Sequence, residues 1–223
     1  MVEKGELMWW KRSPIPYGNL PEAEKKEYIS RVTKEFHDIV LHSTSFHSYF
    51  FGVLSLKPPN DLWEFQELIW KIKPRYFIEI GTHYGGCAYY ISHLFELLGK
   101  GEVITVDNNP GCKDVPHHPR THQIIGDSVN EETFNAVKAL MKEPGPVMVD
   151  IDSCHLYEHT INEMVMYGSL VTPGSYMISE DASNSETWSS IETFLKMDKT
   201  FVSDRSCEKF ILTFHPTGYL LKL

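Results

Sequence analysis

The sequence predicts an α/β protein with a mostly parallel sheet, a helical cap ahead of it and an antiparallel hairpin at its C-terminal end. Three observations predict this. After Pro74, short apolar runs alternate with stretches long enough for a crossover helix, which is how parallel strands must be joined. The first run, Tyr76-Phe-Ile-Glu-Ile80, carries an acid and leads into a glycine turn and then a helix-like segment. The last two runs flank His215-Pro-Thr-Gly218, a turn that folds one strand back on the other.

Residues 1–20 carry Trp9, Trp10, Pro14, Pro16, Tyr17 and Gly18, an aromatic and turn-rich arm. From Pro21 to about Leu41, Tyr28, Val32, Phe36, Ile39 and Val40 recur at helical spacing and predict an amphipathic helix. Phe46 to Phe51 reads as irregular. Lys57-Pro-Pro-Asn-Asp61 breaks the chain and caps a helix over Leu62 to Ile72, which Pro74 stops. Residues 1–72 are thus expected to form the arm and cap, and residues 73–223 the core. In the core, strands are expected at Tyr76–Ile80, Val103–Val106, His122–Ile125, Val147–Ile151 and Tyr176–Ser179, with the hairpin at Phe210–Phe214 and Tyr219–Lys222. A helix should cover Cys87 to Leu98, and Ser128 with Glu131 fits a capping box. Five parallel strands closed by a hairpin make seven. That describes a Rossmann-like methyltransferase sheet better than a dehydrogenase sheet.

At 223 residues the chain fits one domain, or a core with a small cap. A net charge of −9 argues against nucleic acid or an anionic membrane surface as partner, since phosphate binding needs clustered Lys and Arg. No apolar run reaches the roughly 18 residues a membrane span needs. The start, Met-Val-Glu-Lys-Gly-Glu, lacks the apolar core of a signal peptide. Cys87, Cys112, Cys154 and Cys207 form no CxxC pair and read as reduced thiols of a cytoplasmic protein.

Ligands of a parallel sheet gather at the carboxyl ends of its strands. Those ends supply Glu79 and Gly81, then Asp107, then Gly126, Asp127 and Ser128, then Asp150 and Asp152, and last Glu180 and Asp181. The turn Gly81-Thr-His83-Tyr-Gly85-Gly86, with Cys87 after it, would bring backbone close to a nucleotide, and Asp107 would hold ribose hydroxyls. His83 stands where a dinucleotide fingerprint wants its second glycine, the residue that admits a pyrophosphate. S-adenosylmethionine has no pyrophosphate, so the turn favours a methyl donor. If the fourth and fifth strands are neighbours, Asp152, Glu180 and Asp181 converge, and an all-oxygen set favours a hard cation such as Mg2+. His155 follows Asp152 by three residues and is the candidate base.

Two other patterns have blander readings. His155-Leu-Tyr-Glu-His159 matches an HxxEH zinc pattern but begins directly after a strand of the nucleotide-type sheet. His117, His118 and His122 lie in a stretch flanked by Pro116 and Pro119 and read as a solvated loop.

Taken together, several segments resemble the cephalosporin hydroxylase family. They are Phe77-Ile-Glu-Ile-Gly-Thr-His-Tyr-Gly-Gly-Cys-Ala88, Gly126-Asp-Ser128, Val149-Asp-Ile-Asp-Ser-Cys-His155, Glu158-His159, Tyr167 through Asp181 and Glu208 through Tyr219. Tyr49 to Gly52 and Lys57-Pro-Pro-Asn-Asp-Leu-Trp63 extend the likeness upstream to about residue 45. The resemblance implies a methyltransferase-fold protein that uses S-adenosylmethionine, similar to Mg-dependent macrolide sugar O-methyltransferases. It implies Asp152, Glu180 and Asp181 as metal ligands, and His155 as general base. Glu79, Gly81, Asp107 and Ser128 become cofactor contacts, and Cys87 lies near the cofactor's carboxylate. Two positions depart from the pattern: Cys87 stands where a serine is expected, and Cys154 where many relatives carry an acid. The expected reaction is O-methylation of a small hydroxylated molecule of sugar or natural-product type. The alternative, motivated by those two cysteines, is a cofactor-binding partner protein without turnover of its own. The aromatic arm hints at a homo-oligomer.

Overall fold

The computed structural model describes residues 20–41, 47–109, 111 and 115–223. Trp9, Trp10, Tyr17 and the rest of residues 1–19 lie outside the described residues, as does Cys112. Helix α1 (Glu22–Leu41) follows the expected boundaries. Its inward side is formed by Ile29, Val32, Thr33, Phe36 and the buried His37, whereas Tyr28 and Ile39 are exposed.

The segment expected to be irregular is instead a hairpin, β1 (Ser48–Phe50) and β2 (Val53–Ser55), with Ser48 opposite Ser55. Its two-residue turn is Phe51-Gly52, both at positive φ (46° and 82°), the twist that closes tight hairpins. The Phe50 ring packs edge-on to Tyr90 at 5.1 Å and His93 at 5.3 Å, which fixes the hairpin on the sheet's first crossover helix. Helix α2 (Pro59–Ile72) begins earlier than expected, because a proline in the first turn gives up an N–H that has no intrahelical partner anyway. Its buried face, Phe65, Leu68 and Ile69, shares one core with Phe77, Ile91 and Phe95.

The sheet has seven strands: β3 (Tyr76–Ile80), β4 (Glu102–Asp107), β5 (Thr121–Ile125), β6 (Val147–Ile151), β7 (Tyr176–Ser179), β8 (Phe201–Ser203) and β9 (Tyr219–Lys222). Their order is β5-β4-β3-β6-β7-β9-β8. The first five run parallel; β9 pairs antiparallel with both β7 and β8. The connecting helices are α3 (Gly86–Leu98), α4 (Glu131–Leu140), α5 (Tyr157–Gly168) and α6 (Ser185–Met197). Every residue of β3, β6 and β7 is buried, with an apolar core on each face of the sheet. Strand order reverses between β3 and β6, so the crevice at their carboxyl ends is the binding position of the fold.

Two expectations are corrected. The partner of Tyr219–Lys222 in the antiparallel pair is β8, not Phe210–Phe214. The latter run is loop: Phe214 is buried against the rings of Phe36 and His37, and its N–H is bonded to the Asp61 carboxylate. Only the end of the run is buried, at Thr213 and Phe214; Phe210 and Ile211 are exposed. Nor does Ser128 cap α4. Asn130 does, accepting from the Glu132 N–H at 2.8 Å.

Candidate functional site

The crevice is shaped by backbone. Gly81 ends β3 at φ +104°, and a Cβ there would lie 1.8 Å from the Asp152 carbonyl oxygen. Only glycine lets the loops after β3 and β6 approach this closely. His83 and Gly85 also sit at positive φ (46° and 77°), curling the turn so that the His83 N–H donates to Asp107 Oδ2 at 2.9 Å. Asp107 Oδ1 accepts from the Asn109 N–H at 2.8 Å, which fixes the carboxylate at the rim. Gly86 opens α3 where a Cβ would stand 2.2 Å from the Leu54 carbonyl, so β2 lies against the start of that helix.

Two cavities meet under Gly81 and Asp152. One, about 350 Å³, is lined by His83, Asp107, Gly126, Ser128, Cys154 and His159 among others. The second, about 230 Å³, shares Gly81, His83, Asp152 and Ser153, and reaches Glu79, Gly85, Gly86, Cys87, His155, Glu180 and Asp181. Beyond Asp181 a groove of about 1240 Å³ runs between α1 and the start of α6, passing Thr33, His37, Trp188 and Phe214.

The adjacency of β6 and β7 brings Asp152 to Glu180 and Asp181, as the strand-end argument requires. A feature absent from that argument sits among them. The Lys57 ammonium is buried, 2.9 Å from Asp152 Oδ2 and 3.2 Å from Asp150 Oδ2, and it donates a short hydrogen bond to Glu180 Oε1. Burial alone would lower the Lys57 pKa, but the three carboxylates outweigh it and hold the group charged. One cation does not compensate three acids, two of them, Asp150 and Glu180, buried. Asp150 and Glu180 are therefore pushed up, first by desolvation and then by mutual repulsion with Asp152. Asp181 is also raised by burial and by Asp152. On the solvent side, His155 Nε2 stands 3.2 Å from Asp181 Oδ2 and 3.9 Å from Asp152 Oδ1. The donor atoms of Asp152, His155 and Asp181 lie within 4.8 Å of one another, a spacing that suits a cation.

Of the other expected residues, Glu79, Cys87 and Ser128 line the two cavities, whereas Asp127 and Asp150 do not. Glu79 and Asp150 are register partners in mid-sheet, both buried, grouped with the Cys87 thiol. Glu79 accepts from Thr105 Oγ1 and is pushed up to about 7, chiefly by burial, against the pull of Lys57. Burial likewise pushes the Cys87 thiol up. Asp150 and Asp127 line neither cavity of the crevice; Asp127 accepts from the Val129 N–H. Ser128 donates to Glu163 Oε1 at 2.5 Å, an oxygen that also takes a bond from Ser153 Oγ and lies 3.1 Å from His159 Nε2. The two histidines of the HxxEH pattern thus face different carboxylates, and no group of metal-ligand atoms among the described residues joins them. His118 packs on His93 while His122 pairs with Glu102, so that cluster does not converge either.

Sequence reasoning missed Lys57, Glu163 and the pair Asp61–His215. Asp61, buried in α2, accepts from the Phe214 N–H at 3.0 Å and stands 3.5 Å from His215 Nε2. The unbalanced charge of the strand-end acids was the one available signal for a buried lysine.

The family model for rhamnosyl O-methyltransferase/CmcI matches residues 42–223. A rhamnosyl O-methyltransferase of Mycobacterium tuberculosis (strain H37Rv) is 30% identical over 138 residues, 60% of this chain and 56% of the relative. The chain thus spans about half the length of that curated relative. A rhamnosyl O-methyltransferase of Mycobacterium leprae is 24% identical over 189 residues, covering 77% of this chain and 81% of the relative. Among solved structures, CmcI with Mg and SAM superposes with a TM-score of 0.67 at 20% identity, covering 81% of this chain and 78% of that one. A TDP-rhamnose 3'-O-methyltransferase of calicheamicin biosynthesis gives 0.54 at 14% identity, covering 91% and 96%. These likenesses show the methyltransferase fold. The match over residues 42–223 shows more: the chain belongs to the rhamnosyl O-methyltransferase/CmcI family.

Proposed function

We propose that the chain is an S-adenosylmethionine-dependent O-methyltransferase that modifies a hydroxyl of a sugar or sugar-bearing small molecule, with Mg2+ as its metal. The observation that carries this reading is the meeting of the two cavities under Gly81 and Asp152. One is lined by Asp107, which would hold a ribose; the other is lined by acids and a histidine that would act on a hydroxyl. The donor chemistry fits a divalent ion: the carboxylates outnumber the one buried ammonium, and Asp150, Glu180 and Asp181 are all pushed up, chiefly by burial and further by the neighbouring carboxylates. Asp152, Glu180 and Asp181 would hold it.

When bound, S-adenosylmethionine supplies the methyl group, and magnesium lowers the pKa of the acceptor hydroxyl. The chain supplies the rest. Asp107, its carboxylate oriented by the His83 and Asn109 N–H groups, would hold the ribose hydroxyls. His155 would take the acceptor's proton, and Asp181, 3.2 Å from its Nε2, would stabilise the imidazolium that results. The acceptor would enter along the groove beside α1, where the half-exposed Trp188 ring offers a stacking face for a sugar. The sugar assignment draws on the names of the mycobacterial relatives. Residues ahead of β3 would act as the cap that excludes water.

Thermal melting with S-adenosylmethionine, with and without Mg2+, tests the reading. Ligand at about a hundredfold over its Kd adds roughly 2.7 kcal/mol. A shift with the cofactor, a further one with Mg2+, and transfer of labelled methyl to a rhamnoside are the expected results. No shift with S-adenosylmethionine would remove the central claim. Binding without transfer to any hydroxylated acceptor would favour the partner-protein reading instead.

A further inference from the structure

Lys57 has no counterpart in the reaction as described, yet it sits in the middle of the acid cluster. Its ammonium touches Asp150, Asp152 and Glu180 and lies 5.6 Å from the Phe65 ring centre, inside the core. The backbone fixes it there. Ser48 Oγ donates to the Lys57 carbonyl at 2.9 Å, and Pro58 and Pro59 start α2 directly after it. Behind Glu180, His215 is wholly buried, and its ring nitrogens make no hydrogen bond among the described residues. Its Nε2 faces the same Glu180 oxygen at 3.8 Å. Glu180 is thus approached by Lys57 and, at longer range, by His215, with Asp150 and Asp152 sharing the same ammonium.

We propose that Lys57 is a positioning residue: a built-in monovalent cation that holds Asp150, Asp152 and Glu180 together before a divalent ion arrives, and that competes with that ion for Glu180. Two consequences are physical. Without Lys57 the cluster has excess negative charge, so the metal-free chain is less stable and a divalent ion binds more tightly. With Lys57 present, metal binding must loosen its bond to Glu180. The proposal rests on the metal-assisted reading above, and the test separates the two.

Mn2+ binding is measured by electron paramagnetic resonance on the wild-type chain, Lys57→Met and Lys57→Arg, with melting curves with and without Mg2+. Lys57→Met is expected to melt lower without metal, to gain more from Mg2+ than the wild type, and to bind Mn2+ about tenfold tighter or more. Lys57→Arg should restore the metal-free stability. Should Lys57→Met not fold, the buried Lys57 Nζ signal of the wild-type chain is followed by ¹⁵N NMR, and Mg2+ should shift it. Unchanged or weaker Mn2+ binding in Lys57→Met, or a Lys57 signal unmoved by saturating Mg2+, overturns the competition while leaving the metal reading intact. A wild-type chain that binds no Mn2+ at millimolar concentration overturns both. Calorimetry with S-adenosylmethionine alone then reports whether the cofactor assignment survives.

Discussion

His155 Nε2 stands 3.2 Å from Asp181 Oδ2, linking the loop after β6 to the loop after β7. The ring therefore reaches the acid-lined cavity with a carboxylate already beside it, where it would stabilise the imidazolium formed on proton transfer. His155→Ala is expected to lower kcat by about 10²–10⁴-fold, the usual range for losing a positioned base. The Kd for S-adenosylmethionine, measured by calorimetry, should stay within a few-fold of wild type, because His155 lies outside the Asp107 cavity. Turnover at the wild-type rate would take the proton-transfer role from His155.

The approach of Gly81 to Asp152 gives a stability prediction. Alanine at 81 adds a Cβ 1.8 Å from a backbone oxygen and must hold φ at +104°. Left-handed strain and overpacking together should cost about 2–5 kcal/mol in urea unfolding. Because backbone must move to relieve the clash, Asp152 moves with it, and cofactor and metal binding should both weaken. An unchanged urea midpoint would contradict the close approach.

His159 and Glu163 predict a pH dependence. The hydrogen bond that His159 donates to Glu163, and after it the Coulomb attraction, raise the His159 pKa above its ordinary 6.5 despite partial burial. The folded chain then holds the proton more tightly than the unfolded chain. The resulting stability is fully present below about pH 6.5 and is lost as pH rises through the folded value. The stability gap between wild type and His159→Gln should be wide in acid and narrow above neutrality. A gap that widens with pH would reverse the sign and refute the pairing.

The parts of this structure legible in the sequence are those whose signals are local. Strands β3, β6 and β7 are short apolar runs buried on both faces, bounded by turns, and their ends coincide with the expected ones. The convergence of Asp152 on Glu180 and Asp181 follows from strand adjacency alone. Phe210–Phe214 misleads because its one buried aromatic ring, Phe214, packs on Phe36 and His37 rather than in a ladder, while Phe210 and Ile211 are exposed. The β1–β2 turn is hidden because Phe51 supplies a positive φ that sequence assigns to Asn, Asp or Gly. The charge of the strand-end acids calls for a cation without saying which one, and Lys57 is hidden for a further reason. Its partners lie 93 or more residues away in the chain (from Lys57 to Asp150), so only the folded sheet brings them together.

Glu79 carries the last prediction. Its carboxyl is pushed up from 4.5 to about 7, mainly by burial, with Thr105 and Lys57 pulling the other way. For an acid raised in the folded state, the folded chain binds the proton more tightly than the unfolded one. Stability therefore falls as pH rises from about 4.5 to about 7, and the loss, roughly 3 kcal/mol, persists above that. Glu79→Gln retains an oxygen to accept from Thr105 Oγ1 and removes the charge. The unliganded variant should be more stable than wild type at alkaline pH, and the difference should close towards pH 4.5. A difference that does not vary with pH would show that Glu79 does not titrate in this window. The same substitution should weaken S-adenosylmethionine, because the positively charged ligand loses a carboxylate on the floor of the second cavity. A variant that gains stability and binds the cofactor as tightly as wild type would take Glu79 out of the cofactor site and leave it a buried acid held by Thr105 and Lys57.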